Sequence, residues 1–76
     1  MTNKQKIIYE VINNFIEENG YSPTIRELCD LVGLSSTATM WVHLRKMKAK
    51  GVLTFKEGFS RTIVLYKLEE EEWQKT

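Results

Sequence analysis

The sequence predicts a mainly α fold with a small β-hairpin, three helices followed by two short strands in one small domain. Three observations predict it. Apolar or capped helical patterns recur in three separate stretches, and a glycine stands where each of them stops. After Gly51 the composition turns β-rich and splits around a glycine-containing connection. With 76 residues and 42% apolar content, the chain has material for one modest core and little for a catalytic cleft besides.

The first helix is predicted over about 3–19. Thr2 followed by Gln5 has the spacing of a capping box, in which each residue satisfies the other's otherwise unpaired N–H. Ile7/Ile8, Val11/Ile12 and Phe15/Ile16 then repeat at helical spacing, and Gly20 suits the left-handed residue that follows a helix end. Tyr21-Ser22-Pro23 reads as a connector, because proline biases its predecessor away from helix.

A second box, Thr24 with Glu27, opens a helix over about 25–32. Leu28, Leu31 and Val32 line one face of it, with Cys29 beside them, and Gly33 ends it. So short a helix is marginal alone and must pack on its neighbours. Ser35-Ser36 offers the next N-cap, and the third helix is predicted over about 36–50, with Lys46, Lys48 and Lys50 near its negative dipole end. Two helices joined by a short glycine-containing turn make a helix-turn-helix. Strands are predicted over about 52–56 and 62–66 around Glu57-Gly58-Phe59-Ser60-Arg61, which completes a winged helix-turn-helix. This domain is expected over 1–68, with 69–76 as an acidic tail.

Charge is unevenly spread. The formal net charge is +1, yet Glu69 to Glu72 concentrate negative charge in the tail. Arg45, Lys46, Lys48, Lys50, Lys56 and Arg61 face only Glu57 within the stretch 45–61. A positive field this focused suits a polyphosphate partner.

The third helix needs one face for the core and one for a ligand. Met40, Leu44 and Met47 form the more regular apolar stripe, which leaves Ala38, Trp41, Val42, Arg45 and Lys48 facing outward. Small and hydroxylic side chains at the start of the helix, Ser36, Thr37, Ala38 and Thr39, permit close approach to base edges and phosphates in a major groove. The helix N-terminus adds free N–H groups for a phosphate. A rotated helix with Trp41 in the core stays open on the residues alone.

Other chemistry finds no support. Cys29 is a single cysteine and reads as buried filler, and His43 reads as a half-buried structural residue rather than a metal ligand. No nucleophile–histidine–acid arrangement, glycine-rich phosphate loop or metal-ligand spacing occurs, so neither an enzyme nor a cofactor or metal site is expected. No apolar run is long enough for a membrane span and no secretory signal precedes the first helix, which leads to a cytoplasmic expectation.

Tyr21-Ser22-Pro23-Thr24-Ile25-Arg26-Glu27-Leu28, Val32-Gly33-Leu34-Ser35-Ser36, His43-Leu44, Lys50-Gly51-Val52-Leu53 and Ser60-Arg61 before Ile63 follow one another in a specific order and spacing. Together they resemble the N-terminal DNA-binding domain of the LexA repressor family, in its Gram-positive form, over about residues 2–68. The resemblance implies a third helix in the major groove of a palindromic operator in double-stranded DNA. By position, base-reading residues would be Ser36, Ala38, Thr39, Trp41 and Val42, next to Ser35 and Thr37, with wing and backbone contacts near Ser60 and Arg61. Arg45, Lys48 and Lys56 join the set through the charge pattern.

Trp41 and Val42 depart from the polar or small residues of the family, so its operator sequence is not transferable. The family continues into a self-cleaving peptidase half, absent from these 76 residues, and no autocleavage is expected of them. A dimer on DNA, or pairing with another regulator, would supply the second half-site contact. A protein-interaction module, docking through a Trp41–Val42 patch, is the alternative to a DNA-binding regulator.

Overall fold

A computed structural model describes residues 1–66; the expected acidic tail, 69–76, lies outside the described residues. Three helices, α1 (Asn3–Asn19), α2 (Ile25–Val32) and α3 (Thr37–Ala49), precede strands β1 (Leu53–Thr54) and β2 (Val64–Leu65). The strands pair antiparallel, with Leu53 opposite Leu65 and Thr54 opposite Val64. This is the winged helix-turn-helix arrangement, with the hairpin as wing.

Both capping boxes form. Thr2 Oγ1 accepts from the Gln5 N–H at 3.1 Å, and Gln5 Oε1 accepts from the Thr2 N–H at 3.4 Å. Thr24 and Glu27 repeat the exchange at 3.1 and 2.9 Å. Ser36 caps α3, its Oγ accepting from the Thr39 N–H at 3.3 Å. The end of α3 is a reciprocal closure: Val52 N–H donates to Met47 O at 3.2 Å and Gly51 N–H to Lys48 O at 3.0 Å. That pattern needs a left-handed residue between helix and strand, and Gly51 supplies it at φ 78°.

The core lies where the three helices meet the wing. Ile8 and Ile12 of α1, Leu28 and Cys29 of α2, and Met40, Leu44 and Met47 of α3 are buried together with Val52, Leu53, Phe55 and Ile63. Each fully buried aliphatic side chain of this kind stabilises a fold by about 1.5–3 kcal/mol relative to exposure. Tyr9 Oη donates to Tyr66 O at 2.6 Å and ties the far end of the wing back to α1. Cys29 fills space, as read from the sequence, and burial pushes its thiol pKa up.

Two expectations need correction. The strands are two residues each rather than five, because Thr62 turns inward to bond the wing loop and breaks the ladder before it reaches Lys56. Leu31, placed with Leu28 on one face of α2, is 57% exposed, whereas Leu28 and Cys29 carry the packing. At about 100° per residue, Leu28, Val32 and Cys29 share one arc against the core, and Leu31 falls outside it on the far side of Leu28.

Candidate nucleic-acid interface

Burial of Met40, Leu44 and Met47 orients α3 and turns its opposite side to solvent. Thr37, Ala38, Thr39, Val42, Arg45, Lys46 and Lys48 are all exposed, and Ser35 stands exposed just before the helix. Ala38 and Val42 sit one turn apart along the centre of this face. The hydroxyl oxygen of Ser36 is occupied by the cap, so Thr37 and Thr39 are the exposed hydroxyls of the first turn.

Trp41 is not free on that face, contrary to the outward expectation. It is half-buried, with its ring centroid 5.2 Å from that of Phe55, and it packs against the core edge. The rotated-helix alternative fails as well, since Met40 and not Trp41 is fully buried. The wing decides the matter: Phe55 folds over the flank of α3 and covers the indole. Trp41 then becomes one wall of an apolar groove of ≈ 240 Å³ that Pro23, Ile25, Phe55 and Phe59 also line.

The cations are held in different ways. Arg45 Nε donates to Glu57 Oε1 at 3.1 Å, and its guanidinium lies 5.6 Å from the Trp41 ring centroid. Lys48 Nζ donates to Phe55 O at 3.1 Å, while Lys56 Nζ sits 4.7 Å over the Phe59 ring. Lys46 is exposed on the adjoining side of α3. Exposed pairs such as Arg45–Glu57 contribute little to stability. Glu57 does, however, offset the charge of Arg45 on this face.

Arg61 is a clamp. Its Nη1 donates to Ser22 O at 3.1 Å and lies 3.0 Å from Glu27 Oε1, its Nη2 donates to Glu27 Oε2 at 3.3 Å, and its guanidinium stacks 4.7 Å from the Tyr21 ring. The residue holds the left-handed backbone at φ 58°, which a non-glycine side chain keeps only when its surroundings over-determine it. Glu27 is itself fixed by the Thr24 N–H, and this bond first, then the Arg61 guanidinium, hold its carboxyl below the ordinary range. Wing and helix-turn-helix are thereby locked together at the start of α2.

Four residues of this surface were not among the site residues expected from sequence. Thr62 staples the wing loop: its Oγ1 accepts from the Lys56 N–H at 2.9 Å and lies 3.2 Å from both Lys56 O and Phe59 O. Glu57, Tyr21 and Phe59 partner Arg45, Arg61 and Lys56 respectively. The available signal was weak, a hydroxyl residue at the base of a short loop and aromatics near cations. Ser60, expected as a wing contact, is exposed at the loop. His43 is half-buried with Nδ1 lacking a hydrogen-bond partner among the described residues.

Residues 1–62 match the family model of the LexA DNA binding domain. The chain is 39% identical over 67 residues to the LexA repressor of Desulfatibacillum aliphaticivorans, covering 88% of this chain and 33% of that protein. It is 45% identical over 64 residues to the LexA repressor of Clostridium novyi, covering 84% and 31%. A third relative, the LexA repressor of Listeria welshimeri, is 35% identical over 71 residues, covering 93% and 35%. The chain thus spans about a third of the length of these relatives.

Proposed function

The chain belongs to the LexA DNA-binding domain family, and from that premise we propose that it is a sequence-specific regulator of transcription, of repressor type, that binds double-stranded DNA. The observation that carries this reading is the exposed face of α3, small and hydroxylic at its start and cationic towards its end, with a basic wing beside it. In this reading the first turns of α3 enter the major groove, where Ser35, Thr37, Ala38, Thr39 and Val42 approach base edges and Ser36 holds the first turn as its cap. Lys46, Lys48 and Lys56 meet phosphates while Arg45 stays with Glu57, and Ser60 contacts the backbone from the wing. Trp41 and Arg61 support the surface rather than read DNA.

The role is binding rather than catalysis. A palindromic operator would seat two copies, one per half-site, and each copy alone would bind weakly, because coupling two sites raises effective affinity by about 10²–10⁴-fold. The competing protein-docking reading loses support from the cover that Phe55 places on Trp41, since the aromatic patch it requires is partly closed.

Fluorescence anisotropy with a labelled duplex carrying an SOS-type palindrome, against a scrambled duplex, tests the proposal at two salt concentrations. Tighter, salt-sensitive binding to the palindrome is the expected result. Absence of binding to both duplexes at low salt overturns it. The double substitution Arg45→Glu with Lys48→Glu is expected to abolish binding, whereas a partner protein lost only with Trp41→Ala would favour docking.

A further inference from the structure

Resting on the DNA-binding reading above, we propose that this interface recognises thymine through its 5-methyl group, with Ala38 and Val42 as the specificity-determining residues. α3 lacks the side chains that read adenine and cytosine in a major groove. Its thirteen residues, TATMWVHLRKMKA, contain no Asn, Gln, Asp or Glu. Amides are the side chains that bond adenine in two places, and carboxylates are the ones that accept from the cytosine amine. Neither mode is open to this helix.

Tertiary packing removes further candidates from the helix as a whole. Met40, Leu44 and Met47 are buried, and Trp41 is drawn against Phe55. Arg45, the one guanidinium of the helix, is pulled towards the wing by Glu57 at 3.1 Å. Along the outward midline of the first turns, Ala38 and Val42 remain, and Val42 is 48% exposed. A valine left so open in water gains by meeting an apolar group, and the thymine methyl is the apolar feature of a major-groove edge. The two residues are one helical turn apart, a rise of about 6 Å at 1.5 Å per residue. Against a rise of about 3.4 Å per base pair, that separation reaches at most about two base steps.

The test uses duplexes chosen by the chain itself. A pool of duplexes with randomised centres is selected on the full chain, and the tightest-binding duplex is resynthesised with deoxyuridine replacing each thymidine in turn. Uracil keeps every hydrogen-bonding group and lacks only the methyl. One or two positions per half-site are expected to lose about 3–4-fold in affinity, the fold-change that corresponds to roughly 0.8 kcal/mol for a methyl-sized group. Val42→Ala, at an exposed site, keeps the fold and is expected to lose the thymine preference at one of these positions while retaining the other.

Binding that is equally tight with every deoxyuridine duplex overturns the proposal and leaves the DNA-binding reading standing. Undiminished thymine preference in both Val42→Ala and Ala38→Gly also overturns it. Failure of the pool to yield any salt-sensitive binder overturns the DNA-binding reading, and the methyl proposal with it.

Discussion

Removing single cations and measuring how binding responds to salt separates charges that meet phosphate from charges that hold the protein together. Affinity for duplex DNA falls with salt with a log–log slope of about −0.9 for each phosphate neutralised. Lys46, Lys48 and Lys56 are exposed and pair with no carboxylate among the described residues, whereas Arg45 is shared with Glu57 and Arg61 is committed to Glu27, Ser22 and Tyr21. About three phosphates per copy then give a slope of about −2.7, so a fourfold rise in salt weakens binding about 40-fold. Lys56→Ala should reduce the slope to about −1.8 and that loss to about 12-fold. Arg61→Ala should leave the slope unchanged while lowering the thermal midpoint, because its partners are intramolecular. Glu57→Gln should steepen the slope by releasing Arg45. Anisotropy titrations at 50, 100 and 200 mM salt, corrected for folded fraction, read all three; these concentrations are about those over which counterion release is large. Equal flattening of the slope by Arg61→Ala and Lys56→Ala would refute the assignment of Arg61 to intramolecular partners.

Three further outcomes follow from the packing. Gly51→Ala places its Cβ in open space, so its whole cost is the left-handed backbone at φ 78°, about 1–2 kcal/mol in a urea titration, with Gly51→Asn costing less. Leu44→Ala removes a fully buried side chain and should destabilise by about 2–5 kcal/mol, a large part of the roughly 4–11 kcal/mol available to a domain of this size; calorimetry would detect the shift. The depressed carboxyl of Glu27 contributes stability that is present above the unfolded carboxylate range near pH 4.3 and is lost as pH falls through the lower folded value. Melting curves from pH 6 down to about 3 should therefore show a steeper acid loss in the parent than in Arg61→Ala, and equal slopes would contradict the clamp.

Sequence by itself determined the helices and their ends. Thr2–Gln5, Thr24–Glu27 and Ser36 act within three residues of themselves, and Gly20, Gly33 and Gly51 carry the left-handed backbone that closes each helix, so these signals are complete in a short stretch of chain. The spacing of Met40, Leu44 and Met47 marks an apolar face at the helical period, and the full burial of Met40 with Trp41 only half-buried settles that this face is the core one.

The family was legible for a related reason: its motifs lie in order along residues 1–62. Only the tertiary structure decided which side chains of the candidate interface are available. Trp41 meets Phe55 fourteen positions away, Arg45 meets Glu57 at twelve, and Arg61 meets Glu27 at thirty-four. No local period encodes those meetings, since they exist once the wing docks on the helices and the same side chains would be free without it. Spacing alone placed Ala38, Val42 and Lys48 on the outer face of α3, and docking of the wing ties Trp41, Arg45 and Arg61 to intramolecular partners.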